Sequence, residues 1–587
     1  MKQFQFVYKT DETFRAELAH IRQWREAHPS HTTLFRIYSE DMDLAHIGHV
    51  CELLDADMPD ALYLGCTTQG NILDGAISTS NIILTCTVFE YETTRVQLLQ
   101  LPFTAADVPE TVGALRAYCE ANPWVSCVEL YATVLGMSVR EFRREMDCLR
   151  SDIQIFGGGA CNPDANDFTT YVFSKGNGIS DHGVVFLLFG GSDFHVFSTY
   201  VSGWKPLRRK FHITRASGRI LTELDGEPAF QVYQRFLRID PGGKFVSNTL
   251  EFPLLMNDHG IDVLRCPLMV NEDNSLLLTA EVTEAADLRL AYGDPQTILS
   301  SILHDGQKIA DFRPEVIQTF SCAARRAFWS DDNISNETLP LCDVAPVSGY
   351  YTGGEFLRIG SDLFHFNITL VFAAMREGDG SNRQTVNLSA AQPDEETSRM
   401  SLIRHFVSVI EAYTSECEAL REKLTVTSIT DGLTGLYNRA EIERRIRAAV
   451  EAKTDFTDDL SILMLDIDDF KKINDVCGHQ EGDRVILAIA DVLRQVLSDL
   501  PSASIGRWGG EEFMVLLPDC PVEQAAALAE QIREAFAAVR YELAAPQSVS
   551  IGVTRARSGD NADSLYVCVD RALYAAKAGG KNRVIRQ

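Results

Sequence analysis

The sequence predicts an α/β protein in several parts: an N-terminal two-part α/β region, a coiled-coil helical linker, and a C-terminal α/β domain with a central sheet and a hairpin. Three observations predict it. Through about residue 390, apolar strand-like stretches (Ala61 to Leu64, Ile82 to Val88, Val184 to Phe189) sit between amphipathic ones such as Asp107 to Ala121. A polar stretch from Glu377 to Thr397 then leads into a heptad pattern. Beyond residue 425, helical and strand-like patterns alternate to the end. At roughly 150 residues per domain, 587 residues make about four units. The expected divisions are 1–220, 221–392, 393–427 and 428–587.

Hydrophobic residues at 45% and charged residues at 23% exclude a disordered or fibrous chain. Lys and Arg total 54 against 82 Asp and Glu, a formal charge of -28. Such a surface repels phosphate backbones and anionic lipid, which argues against a nucleic-acid or membrane-adsorbed protein. An anionic nucleotide binds here only where metal ions or a local Lys/Arg pocket cancel the charge. No apolar run approaches the ~18 residues of a spanning helix. The fourteen cysteines form no C-x-x-C pair, so reduced thiols in a cytoplasmic protein are expected.

In the linker, Ile403, Phe406, Ile410, Tyr413, Cys417, Leu420 and Leu424 recur at alternating spacings of three and four. That pattern predicts a two-stranded coiled coil, with an amphipathic linker helix packed on its own domain as the alternative. The last unit reads as a helix from near Arg439 capped by Asp431 or Thr434, then a strand (Leu460 to Leu465) and a helix (Glu481 to Leu497). A hairpin around Gly509-Gly510 follows, then a helix (Val522 to Val539), a strand (Ser548 to Val553) and a helix (Leu565 to Ala578).

Three features of this unit carry chemistry. The apolar strand from Leu460 runs into Asp466-Ile467-Asp468-Asp469, placing acids at the edge of an open sheet where ligands bind. Gly509-Gly510 reads as a hairpin turn followed by Glu511 and Glu512. Hard oxygens from two adjacent segments suit Mg²⁺, with nucleotide phosphates completing its shell. Lys577 and Lys581 are four apart at the end of the last helix and suit terminal phosphates. Each feature alone is commonplace on protein surfaces; their conjunction is not.

These residues bring residues ~428 to 587 into resemblance with the GGDEF domain of diguanylate cyclases. The matching runs are Asp431-x-Leu433-Thr434-Gly435-Leu436-x-Asn438-Arg439, Asp466-x-Asp468-x-Phe470-Lys471-x-Ile473-Asn474-Asp475, Gly478-His479-x-x-Gly482-Asp483, and Gly509 to Phe513 in a Glu-Glu form. Ser550-Ile551-Gly552 and Ala572-Leu573-Tyr574-x-Ala576-Lys577-x-x-Gly580-Lys581-Asn582 complete the match. The resemblance implies that two GTP condense to cyclic di-GMP across a homodimer. Asp466, Glu511 and the Ile467 carbonyl would hold Mg²⁺, with Mn²⁺ as the alternative ion. Glu511, with Glu512 beside it, would take the proton of the 3′-hydroxyl. Asn474 and Asp483 would read guanine, His479 would line the nucleotide site, and Lys471, Lys577 and Lys581 would face phosphates. The family's product-inhibition motif, R-x-x-D, is replaced by Leu500-Pro501-Ser502-Ala503, which implies no feedback there. The rival reading is a catalytically silent GGDEF domain that binds GTP and signals by contact.

Residues ~30 to 375 resemble the FIST sensory module, which implies regulation by a small ligand, an amino acid for example. The carrying residues are Gly65-Cys66-Thr67-Thr68-x-Gly70, Glu223-Leu224-Asp225-Gly226-x-Pro228-Ala229 with Tyr233, Ser321-Cys322 with Arg325, Gly349-Tyr350-Tyr351-Thr352-x-Gly354-Glu355, and His365-x-Asn367-x-Thr369. Thr67 and Thr68 on the glycine turn, and Ser321, Arg325 and Glu355, are the candidate ligand contacts; an Arg325–Glu355 ion pair is the structural alternative.

Overall fold

The computed structural model describes residues 1–102, 107–134, 139–164, 167–242, 245–381, 383, 386–388, 406–407, 410, 414, 429–452, 459–557 and 560–587. It divides into two compact units, Met1–Ser408 and Val409–Gln587. Most of the predicted heptad lies outside the described residues. Of its members, Phe406 and Ile410 are described, and both are exposed.

The N-terminal unit is built on one pattern used three times. Each copy supplies four strands in the sheet order first, fourth, second, third, with the second and third parallel and the other neighbours antiparallel. The first copy contributes Lys2–Val7, Thr32–Ser39, Leu62–Thr67 and Ile82–Phe89. The second contributes Arg95–Pro102, Val125–Ala132, Gln154–Gly159 and Gly183–Gly190. The third contributes Phe194–Val201, Val316–Cys322, Val347–Thr352 and Leu370–Glu377. After its third strand each copy sends a hairpin into another copy's sheet. Asn71–Leu73 with Ala76–Ser78 joins the third sheet, Val172–Ser174 with Gly178–Ser180 the first, and Glu355–Ile359 with Asp362–Phe366 the second. The exchange is cyclic, so none of the three sheets is complete without its neighbour.

A shared steric requirement shows the equivalence residue by residue. Gly65, Gly157 and Gly349 hold the same place inside the third strand of each copy, paired with Ile37, Leu130 and Thr319. A Cβ on them would meet the carbonyl oxygens of Ile37, Leu130 and Thr319 at 2.3, 2.0 and 2.0 Å. Only glycine permits that approach of neighbouring strands. The next inward-facing residues along the partner strands, Tyr38, Tyr131 and Phe320, therefore correspond and share one core. Beneath them Arg36, Glu129 and Gln318 correspond as well. Arg36 makes a buried two-point pair with Glu129, at 2.9 and 2.7 Å, and Gln318 donates to the Tyr38 hydroxyl. Each sheet's outer face is covered by its own two helices, Asp11–Ala27 and Leu44–Asp57, Val108–Ala121 and Val139–Met146, or Pro295–Phe312 and Ala323–Trp329.

Between the first and second strands of the third copy the chain inserts a separate sheet, from Trp204–Ser217 to Asp287–Gly293. The expected division at 220/221 falls inside this insert, at the strand Ile220–Leu224. Alternation in sequence marks strands but carries no information about which sheet a hairpin joins. Within this one unit the chain thus builds three copies of one sheet pattern and an insert.

The C-terminal unit has a five-stranded sheet in the order Ser504–Gly509, Glu512–Pro518, Leu460–Ile467, Val549–Arg555, Val584–Arg586. Leu460–Ile467 is central and wholly buried, which is why it reads as a continuous apolar run. Leu463, Leu465 and Ile467 pack under helices His479–Val496 and Val522–Ala537. Ile462 and Met464 pack on the other face under Arg439–Glu451 and Ala562–Ala578. The first of these helices is capped by Asn438, whose side chain accepts from the Glu441 N–H at 3.0 Å, rather than by Asp431 or Thr434. Those two cap a turn instead: Asp431 accepts from both the Thr434 N–H and hydroxyl. The helix Phe470–Cys477 is one the pattern did not predict. Its N-cap, Asp469, takes left-handed backbone at φ 56°. Among the described residues, no helix is long and apolar enough to cross a membrane.

Candidate active site

The central strand delivers Asp466 at its C-terminal end, 7% exposed, beneath the last helix. Lys577, on that helix, places its Nζ 2.7 Å from Asp466 Oδ2. Burial pushes the Asp466 carboxyl above its ordinary range, and Glu511 and Asp468 push the same way against the pull of Lys577. Glu512 stands directly across the ladder from Asp466. It too is raised, by burial first and then by the Asp466 charge. The carboxyls of Asp466, Glu511 and Glu512 and the Lys577 ammonium thus gather at the end of two strands and their turn.

The hairpin turn consists of Gly510 and Glu511, since Gly509 pairs with Glu512. Gly510 takes φ 44°, while Gly509 does not enter the left-handed region. The paired glycines therefore have different roles: one turns, and the other is the last strand residue. The Glu511 carbonyl accepts from the Ile467 N–H at 3.3 Å, which ties the turn to the acid-bearing strand. Arg507 fixes the same turn. Its Nε and Nη2 donate to the Gly510 carbonyl at 2.9 and 2.8 Å, and its Nη1 reaches Asp431 at 3.2 Å. Sequence reasoning missed Arg507. An arginine two residues before a glycine pair was a usable signal, because only a fork of donors can hold a turn carbonyl and a distant carboxylate together.

Asp468 points away from this cluster and is held by three donors. The Ser550 and Ser548 hydroxyls donate at 2.7 Å each, and the Asn582 N–H at 3.0 Å. Those contacts lock the strand end to its neighbour and to the segment carrying Lys581. Lys581 itself pairs with Asp469 at 2.8 Å. Lys472 and Lys581 pull the Asp469 carboxyl down to about 2.

The predicted base-reading residues flank the corner between two helices at Gly478, where φ is 85°. Asn474 is half-buried, and Asp483, His479 and Lys471 are exposed. Asn474 lies directly over Gly482: a Cβ there would meet Asn474 Oδ1 at 2.0 Å. Glu481 pins the corner by accepting from the Leu543 and Ala544 N–H groups. Leu500 and Ala503 close a single turn on the apolar core, with the Ala503 N–H donating to the Leu500 carbonyl at 3.0 Å.

Among the described residues, no group of three or more His, Cys, Asp and Glu side chains is gathered as a metal set. The predicted set of two carboxylates and a carbonyl is smaller than that. Its donor chemistry suits a hard divalent cation, and Lys577 stands against Asp466 as a cation would.

In the N-terminal unit the sensor candidates separate. Thr67 and Thr68 are buried and occupied: Thr67 Oγ1 accepts from the Tyr171 N–H, and the Thr68 hydroxyl donates to Asn71 Oδ1 at 2.8 Å. Arg325 does not pair with Glu355. Its guanidinium grips Glu337 from two points and donates to the Ser202 and Ile368 carbonyls, so its donors are spent on the fold. Ser321 Oγ and Glu355 Oε2 are buried and have no hydrogen-bond partner among the described residues.

Comparison with known proteins gives three family matches. Residues 428–583 match the diguanylate cyclase GGDEF domain, 34–227 the FIST N domain and 229–358 the FIST C domain. Diguanylate cyclase DgcM of Escherichia coli (strain K12) is 39% identical over 173 residues, 29% of this chain and 41% of its own. A diguanylate cyclase of Vibrio cholerae serotype O1 is 41% identical over 167 residues, 28% of this chain and 51% of its own. The chain thus spans about half or less of the length of these relatives. A solved active GGEEF domain of a diguanylate cyclase from Vibrio cholerae is 38% identical, covering 25% of this chain and 96% of that one, with a TM-score of 0.24. The chain therefore carries a GGDEF domain of the diguanylate cyclase family at residues 428–583, behind a FIST N and a FIST C domain.

Proposed function

We propose that this chain is a ligand-regulated diguanylate cyclase, acting as a homodimer that joins two GTP into cyclic di-GMP and releases two pyrophosphates. The observation that carries this reading is the junction of Asp466, Glu512 and Lys577 at the mouth of one strand pair, with Glu511 in the adjoining turn. The diguanylate cyclases that this domain resembles support it.

In this reading each protomer binds one GTP, and each 3′-hydroxyl attacks the other nucleotide's α-phosphate. The P–O bond to pyrophosphate breaks as the new one forms. Asp466, Glu511 and the Ile467 carbonyl would hold Mg²⁺ or Mn²⁺, which supplies charge neutralisation at the phosphates. Glu511 accepts the hydroxyl proton, with Glu512 beside it. Lys577, released from Asp466, and Lys581 and Lys471 meet phosphate oxygens. Asp483 accepts from guanine N1–H and the 2-amino group, and Asn474 completes the pairing, so adenine leaves both side chains unpaired. Asp468 and Arg507 touch no substrate and hold the strand end and the turn in place. The linker heptad provides the dimer contact.

The test is GTP turnover by the full chain with Mg²⁺, followed by chromatography of cyclic dinucleotide and pyrophosphate, beside Glu511→Ala. Product from the wild type alone is expected. Tight GTP binding by a dimer without product under any tested ligand would favour the silent, contact-signalling alternative.

A further inference from the structure

The three-copy architecture brings three equivalent loop residues together where the parallel strand pairs end. Gln69, Cys161 and Gly353 each follow the third strand of their copy. Cys161 Sγ lies 3.7 Å from Gln69 Oε1, and a Cβ on Gly353 would lie 3.9 Å from Cys161 Sγ. Gln69 and Cys161 are half-buried and Gly353 is exposed, so this ring lies at the surface. Thr352, Cys322 and Glu355 are all buried, and the Glu355 charge acts on both Cys161 and Cys322.

Two copies can be compared at the same position. In the first, Thr68 donates to Asn71 Oδ1 at 2.8 Å, and the Asn71 amide donates to the Ser80 carbonyl and toward Glu40, at 3.1 and 3.4 Å. That site is satisfied from within. In the third, Thr352 donates in the same way to Glu355 Oε1. There the resemblance stops: Oε2 is buried with no hydrogen bond of ordinary geometry among the described residues, although the Thr369 N–H and the Cys322 thiol lie close enough to favour the ionised carboxyl. No cation pairs with it, because Arg325 is committed to Glu337 and Arg326 to Asp331. The thiols beside the carboxyl are neutral, and the Arg325 charge reaches it only through space. Burial lifts the Cys322 thiol well above its ordinary range and Cys161 to about 12, so neither carries charge. A buried carboxyl oxygen this weakly satisfied is costly, and a donor that also brings positive charge would complete it.

We propose that the mouth ringed by Gln69, Cys161 and Gly353 is a ligand site, and that it takes a small molecule presenting a primary ammonium group to Glu355 Oε2. A quaternary ammonium has the charge but no N–H, and does not fit the vacancy in hydrogen bonding. A free carboxylate has the wrong sign. Burial holds the Glu355 carboxyl up at about 8. Near neutral pH it is therefore largely protonated in the free protein and loses that proton as the ammonium arrives. This inference rests on, and deepens, the sensor half of the proposed function. Its test reads binding rather than turnover, so the two can fail separately.

The experiment is calorimetric titration of the full chain at millimolar probe with matched pairs: ethanolamine against choline, and glycine against glycine betaine, with putrescine as a diamine. At least one primary amine is expected to bind, at least about tenfold tighter than its quaternary counterpart, a difference of about 1.4 kcal/mol. Near neutral pH, binding heats in buffers of different ionisation enthalpy should reveal proton release, up to about one per site. Glu355→Gln should weaken the binding about tenfold or more. Cys161→Phe should do the same from the rim while leaving Glu355 in place. Proton release is read on the wild type and stands even where a variant fails to fold. No amine binding, equal binding of the quaternary partners, or full affinity in Glu355→Gln would each overturn the site and leave a polar pocket holding water only. Binding without any change in cyclase rate would leave the site standing and remove its regulatory role.

Discussion

Asp466 and Glu355 are two buried carboxyls beside strand ends, and both are raised by burial. They differ in what faces them. Asp466 has the Lys577 ammonium at 2.7 Å; Glu355 has the Thr352 hydroxyl and no cation. The first belongs to a site that carries its own counter-charge and exchanges it when substrate comes. The second belongs to a site whose counter-charge must come from outside. Each raised carboxyl costs stability as pH rises, so each is a place where the fold gives up free energy to keep an acid dry.

The sharpest way to break the comparison is to make Asp466 resemble Glu355. Lys577→Met leaves a buried carboxyl without its cation. Cyclic dinucleotide formation should fall on the order of 10²-fold, the scale seen when one preorganised charged or donor group at a phosphoryl or acyl centre is removed. Steady-state turnover with GTP checks it, and an unchanged rate would place Lys577 outside the phosphate machinery.

Arg507→Ala comes next. It removes the fork that holds the Gly510 carbonyl and Asp431 together, without touching any residue assigned to substrate. A loss of roughly tenfold in kcat is expected, from misplacement of Glu511 rather than from weaker binding. The KM for GTP should move little. Arg507→Lys should rescue poorly, because an ammonium cannot hold two partners in the fork's geometry. A change in KM alone would show that the hairpin shapes the nucleotide pocket instead.

How much of this was legible in the sequence depended on locality. The acid strand, the Gly-Gly-Glu-Glu turn and the closing lysines each sit within a few consecutive residues, and the structure brings Asp466, Glu512 and Lys577 together. Arg507 went unread because its work depends on Asp431, which lies 76 positions away. In the N-terminal unit almost everything that matters is long-range. Arg36 pairs with Glu129 across 93 positions, and the three glycines that align the copies are spaced unevenly by the insert. Periodicity sees strands but not their exchange between sheets. Arg325 illustrates the same limit: its type suggested a ligand contact, and the partner that consumes it, Glu337, lies on a short turn that gives no sequence signal.

A smaller effect sharpens the sensor side. A carboxyl whose folded value lies above its unfolded one makes folding most favourable below the unfolded value and less so as pH rises through the folded value. For Glu355 the window runs from 4.5 to about 8. Thermal melting of the N-terminal unit within the full chain should therefore drift down by roughly a few degrees across that window. Glu355→Gln should flatten the drift. A saturating primary amine should reverse part of it, because the ammonium stabilises the ionised carboxyl. An unaltered slope in Glu355→Gln would assign the pH dependence to other groups.

The smallest expected effect concerns the product. A cyclic dinucleotide is a dianion, and by the logic of Asp466 and Glu355 a charged group settles where its opposite is provided. Leu500 and Ala503 occupy a turn packed on the apolar core and provide neither the Arg nor the Asp of the family's inhibitory motif. Cyclic di-GMP added at saturating GTP should therefore change the initial rate by less than about twofold. Leu500→Arg combined with Ala503→Asp places the missing fork and acceptor on that turn, and product should then slow turnover without raising the KM for GTP. Inhibition of the wild type under the same conditions would mean that the dinucleotide finds its cations elsewhere on the domain, and exposed arginines such as Arg484 and Arg494 would be the first to replace.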